Sequence, residues 1–182
     1  DPTGYNGPVL DQLGAAVSAD PQARCMVNFL IHAPPAWKEA YPDEFELDDR
    51  GERHEVSIGS DRYLDELLAH LPDFIRFVET CPHARHVLTY LFSFGHEGFT
   101  WSSLRNGVSD YSPAMVRTFR HWLETRYASN VEALRQAWQE PDVAFETAGV
   151  PTREEQLYAD DGWFRDPTGK QKVFDYIRCR VD

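Results

Sequence analysis

Glu97 stands in the run Phe94-Gly95-His96-Glu97-Gly98-Phe99-Thr100-Trp101, directly after the apolar stretch 87–94. A carboxyl group among aromatic rings loses hydration, so its charged form is disfavoured and its pKa rises. A general acid working near neutral pH needs that shift. Phe94, Phe99 and Trp101 are the rings at hand. Cleaving a glycosidic bond takes two carboxyl groups, one of which protonates the leaving oxygen. Spacing alone favours a solvated loop glutamate, or one paired with an arginine, because structural ion pairs also perturb carboxylates.

His32 and His96 each follow an apolar run. An imidazole in such a place hydrogen-bonds a sugar hydroxyl, ligates a metal, or fills a purely structural role. No third ligand falls at metal-binding spacing, so no metal is expected. Trp37 and Trp101 are placed to stack on a sugar ring. Trp122 and Trp138 fall at helical spacing and are expected in the core. Ser102, Ser103 and Ser112 lack the G-x-S-x-G setting of a serine hydrolase, and no phosphate-binding glycine loop is present. No cofactor is expected.

The elements that would carry these residues are readable from apolar periodicity. Residues 9–17 space apolar side chains for a short helix. Residues 25–31 (CMVNFLI) and 87–94 (VLTYLFSF) are near-continuous apolar runs, as expected of strands buried on both faces of a parallel sheet. Pro34-Pro35 stops the first run. Residues 45–57 read as an excursion, a hairpin around Asp48-Asp49-Arg50-Gly51. Residues 61–80 predict a long amphipathic helix capped by Ser60 or Asp61, with Leu64, Leu67, Leu68, Leu71, Phe74, Ile75 and Val78 on one stripe and a kink at Pro72. Strand, helix and strand together make a βαβ unit. Ser112-Pro113 starts another helix, with Met115, Phe119, Trp122 and Leu123 inward. Residues 131–138 form the next, with Leu134 and Trp138 inward. Residues 139–165 read as irregular. Asp166-Pro167 predicts the start of a last helix striped by Val173, Tyr176 and Ile177.

The chain has 182 residues and a formal net charge of −12. That charge repels phosphate backbones, so nucleic acid is not an expected partner. No stretch of about 18 apolar residues exists to span a membrane. No signal peptide is visible, and the expected compartment is the cytoplasm. Cys25, Cys81 and Cys179 are few and far apart, as buried hydrophobes are and a disulfide framework is not. A whole (β/α)8 barrel takes roughly 250 residues. This chain starts at Asp1 and ends at Asp182 in what reads as an unfinished helix, so both ends read as cut.

The order of a strand ending in APPAW-x-x-x-YPDE (residues 33–44), a long helix, a second strand and then DYSPAMVRTFRHWLETRYASNVEALRQAW (residues 110–138) resembles the family 42 β-galactosidases among glycoside hydrolases. The resemblance covers most of residues 24–178 and is most specific over 110–138. It implies an α/β fold, a partial (β/α)8 (TIM) barrel with buried parallel strands and several helices. Residues 24–32 would be strand three, 87–94 strand four, and 112–138 a helical insertion, within one partial barrel domain spanning 1–182. It also implies hydrolysis of terminal β-galactosides with retention, with a nucleophile on strand seven outside this chain.

Two departures stand out. His96-Glu97 replaces the family's Asn-Glu pair, and a gapless alignment sets the family glutamate on Gly95. The zinc-binding cysteines of some members have no counterpart in residues 102–112. The expectation is a fragment or degenerate relative with Glu97 as proton donor and His32, Trp37, His96 and Trp101 around a β-galactoside. The chain alone would be inactive, with a homo-oligomer or a completing chain segment as possible partner. The alternative is a non-catalytic carbohydrate-binding or scaffold protein.

Overall fold

The computed structural model describes residues 7–94, 108, 110–158, 166 and 169–182. The chain divides into two compact units, one of residues 1–32 and 62–100, the other of 33–61 and 101–182. No glycine- or serine-rich linker marks the crossings.

In the first unit, helix α1 (Gly7–Ala19) precedes strand β1 (Cys25–Ile31). Helix α3 (Asp61–Glu79) leads to strand β4 (Val87–Phe94). The two strands pair in parallel, from Met26 opposite Thr89 to Ile31 opposite Phe94. Parallel neighbours cannot be joined by a tight turn and need a crossover, which α3 supplies. The starts of the strands are tied by polar contacts. His86, buried, meets the Ala23 carbonyl through Nδ1 at 3.0 Å, and its Nε2 accepts from Arg85 Nε at 3.1 Å. Arg24 donates to the Arg85 carbonyl at 2.9 Å. Among the described residues of this unit, Leu13, Val27 and Val78 are also buried.

The strands are not buried on both faces as their sequence suggests. Met26, Leu88, Leu91 and Phe92 are exposed, Leu88 by 74%. A two-stranded ribbon has too few neighbours to cover both of its faces. The stripe of α3 is likewise only partly covered, with Val78 buried but Leu64 and Leu68 exposed. Pro72 lies inside α3, whose range continues through it.

The second unit holds the short helix α2 (Pro35–Ala40), the antiparallel hairpin of β2 (Phe45–Leu47) and β3 (Arg53–Val56), and helices α4 (Pro113–Arg126), α5 (Val131–Trp138), α6 (Arg153–Leu157) and α7 (Gln171–Cys179). Ser112 caps α4 by accepting from the Met115 amide at 3.1 Å, and Asn130 caps α5 through Ala133. Met115, Phe119, Leu123, Leu134, Trp138, Val143, Ala148, Tyr176 and Cys179 form the core. Trp138 and Trp122 lie near-parallel to Phe119, with centroids 6.0 and 6.4 Å away, while Tyr176 meets it edge-on at 5.4 Å. Gly59 is needed for close packing, since a Cβ there would sit 2.7 Å from the Met115 Cα.

Three expectations fail in this unit. The segment 139–165 is not wholly irregular, because α6 forms with a capping box between Thr152 and Glu155. The last helix starts at Gln171 and not at Asp166-Pro167, and it closes at Cys179 with Arg180 as its cap residue. Ile177 is exposed, and the inward face of α7 is Val173, Asp175, Tyr176 and Cys179. Asp175 takes an inward place because its carboxylate collects Tyr127 Oη at 2.6 Å, Gln171 Nε2 at 2.8 Å and Trp138 Nε1 at 2.9 Å. Those bonds offset the cost of burying the charge.

Phe119→Ala should lower the stability of this unit by about 3–5 kcal/mol. Ile177→Ala should change it by less than about 0.5 kcal/mol. Urea unfolding followed by tryptophan fluorescence checks both. Equal effects would contradict the assignment of the inward face of α7.

Candidate functional site

Ile31 and Phe94 pair across the sheet, so β1 and β4 end level with one another. His32 follows β1 directly and is exposed. Glu97, His96 and Trp101 belong to the segment that continues from Phe94, and they lie outside the described residues. Trp37 is described, but in the other unit from His32. It sits on α2, where its ring packs against Tyr41 at 5.0 Å and edge-on to the buried Phe45 at 5.7 Å. Lys38 holds its ammonium 5.6 Å from the Phe45 ring centre. Trp37 is therefore anchored among rings, half-buried, and not a free loop residue.

A second constellation, which the sequence reading left out, lies on the β2–β3 hairpin. The Asp48 carboxylate is fully buried. Its Oδ1 accepts the amides of Arg50 and Glu52, both at 2.8 Å, and its Oδ2 meets His54 Nε2 at 3.1 Å. Glu52 and His54 alternate about Arg53, which sets them on one face. That alternation beside an Asp-Asp-Arg-Gly turn was the readable signal. Ligand atoms of Asp48, Glu52 and His54 lie within 4.8 Å of one another, the set among the described residues able to hold a metal ion. Burial pulls the Asp48 pKa upward. The Glu52 amide, His54 and the Arg50 amide outweigh it and hold the carboxyl below its ordinary value.

Two other buried acids of this unit, Asp110 and Glu44, are engaged structurally. Asp110 Oδ1 accepts from the amides of Leu47 and Ser112, while its Oδ2 accepts from Ser57. Glu44 takes Arg117 at 2.7 Å on one oxygen and Ser60 at 2.8 Å on the other. Both carboxylates are thus tied to donors within the unit. Burial pushes the Cys179 thiol up to about 12 and the Tyr111 hydroxyl likewise to about 12, so neither is a nucleophile near neutral pH.

A parallel strand pair joined through a helix, in a chain with several further helices, defines an α/β fold similar to that of a TIM-barrel enzyme. Solved structures carry the same arrangement. A β-galactosidase from the psychrophilic Marinomonas ef1 matches 95% of this chain with a TM-score of 0.63 and 21% identity. A catalytic mutant of a GH42 β-galactosidase from G. stearothermophilus matches 100% of it with a TM-score of 0.59 and 14% identity. The chain spans about a quarter of the length of each, 25% and 26%. At these identities the likeness establishes the fold. No family model matches the sequence, and no curated protein does. No described helix is long and apolar enough to cross a membrane.

Because the folded pKa of Asp48 is depressed, its ionisation stabilises the fold above the unfolded value near 3.8. That stability is lost as pH falls through the lower folded value. Asp48→Asn should cost about 1–3 kcal/mol at pH 7. The gap to the unaltered chain should narrow as pH falls below the ordinary value near 3.8, measured by urea unfolding at each pH. A gap constant with pH would show that the Asp48 charge contributes nothing.

Proposed function

We propose that this chain is part of a β-galactosidase-like glycoside hydrolase acting on terminal β-galactosides with retention, and that Glu97 is its proton donor. The observation that carries the reading is the level ending of two parallel strands within a fold shared, over nearly the whole chain, with β-galactosidases. Active sites of such barrels lie at the carboxyl ends of the strands. His32 and the segment bearing His96, Glu97 and Trp101 continue from those two ends. His32 and His96 then hydrogen-bond sugar hydroxyls, and Trp37 and Trp101 offer rings to the sugar face.

Glu97 would give its proton to the leaving oxygen in the first step. In the second it would take a proton from water as that water attacks the glycosyl-enzyme. The nucleophile has to stand about 5 Å from Glu97 in a retaining enzyme. The family resemblance sets it on strand seven, beyond this chain. The partner of the sheet is accordingly a chain segment that adds the remaining strands.

The chain alone should turn over no aryl galactoside. In a polypeptide that also supplies the nucleophile, Glu97→Gln should slow poor leaving groups by roughly 10²–10⁴-fold and activated aryl groups little, because an activated group leaves unprotonated. Azide should restore the second step by attacking without a base. A Glu97→Gln variant with unchanged pH profile and leaving-group dependence would overturn the role of Glu97. Steady turnover by the chain alone would overturn its incompleteness.

A further inference from the structure

We propose that the β2–β3 hairpin binds one divalent transition-metal ion of the zinc class between Asp48, Glu52 and His54. The donor set selects the ion. One imidazole nitrogen with two carboxylate oxygens suits zinc, whereas calcium and magnesium are held by oxygens alone. Zinc holds such ligands at about 2.0–2.2 Å, which puts tetrahedral ligand atoms roughly 3.3–3.5 Å apart. Asp48 Oδ2 and His54 Nε2 already stand at 3.1 Å. The Glu52 carboxylate is within 4.8 Å of both, and its side chain is exposed and so able to turn toward them.

The first ligand is preorganised. Asp48 is fixed by two amides on Oδ1, and only Oδ2 faces the other donors. Partners that orient a ligand in this way usually matter to metal affinity nearly as much as the ligands themselves. The hairpin closes around the set, with the Asp48 amide donating to the Glu52 carbonyl at 3.0 Å. Arg50 is the competing cation. Its Nε lies 3.9 Å from Asp48 Oδ2, and its side chain is 56% exposed, so it can yield to an incoming ion by moving into water at little cost. With three protein ligands, the fourth position would go to a water, as in open zinc sites. The ion would clip the turn to the strand and would stabilise the folded chain by mass action.

The test is titration of the purified chain, stripped with a chelator, with Zn²⁺ by calorimetry and with Co²⁺ by absorption. The expected result is one ion per chain, tetrahedral Co²⁺ bands and no thiolate charge-transfer band, which separates this site from the half-buried Cys25 and Cys81. Glu52→Gln should weaken binding roughly tenfold or more, and His54→Gln roughly a hundredfold. His121→Ala, at an exposed imidazole on α4, should leave it unchanged. If His54→Gln does not fold, Glu52→Gln decides, because it alters only an exposed side chain. Absence of saturable binding, a thiolate band, or binding indifferent to Glu52→Gln would overturn the proposal.

Discussion

The parallel pairing of β1 and β4 is the constraint on which the first unit depends. Two strands pointing the same way cannot be joined by a short turn. The chain therefore leaves β1 at Ile31, builds α2 and the hairpin within the second unit, and returns through α3 before pairing again at Val87. The same constraint decides what leaves the sheet at its carboxyl end. His32 and the segment beginning at Gly95 both continue from there, so residues 63 positions apart at Ile31 and Phe94 become neighbours by register alone.

The second unit is held by a different principle. Its core of rings and aliphatic side chains is threaded by buried carboxylates, and Asp110 and Asp175 are bound to donors from distant parts of the chain. Asp110 joins the hairpin to the start of α4, and its backbone exchanges hydrogen bonds with the Tyr176 hydroxyl on α7. Asp175 joins α7 to Tyr127 and Trp138. A buried charge without such partners costs several kcal/mol, and with them it fixes which helices lie together. The formal charge of −12 hides this, because some of the acids counted in it serve as internal acceptors.

Both strands, the hairpin and the helices α4 and α5 were legible, because their signals are local. An apolar run bounded by prolines, a serine before a proline and a 3–4 spacing of large side chains need no knowledge of the rest of the chain. The missed features depend on partners far away. Asp175 reads as a surface acid until Tyr127 and Trp138 are brought to it. The start of α7 was misread because Asp166-Pro167 imitates a cap, while the helix begins at Gln171 without a capping side chain. The five-residue α6 was too short for periodicity, although its Thr152–Glu155 box was present in the sequence. Of the proposed site, Glu97, His96 and Trp101 are read from the sequence alone, as a ring-flanked acid after a strand, and they lie outside the described residues. For the Asp48–His54 pair the alternation of Glu52 and His54 beside the turn was the only local signal, since nothing local declares Asp48 buried.

The central claim is that Glu97 faces a bound galactoside. The measurement that tests it most directly is affinity labelling with a galactosylamine bearing a bromoacetyl group, followed by peptide mapping. The account predicts alkylation of Glu97, suppressed by excess galactose and absent from Glu97→Gln. Alkylation spread over the cysteines and surface histidines, unchanged by galactose, would contradict it.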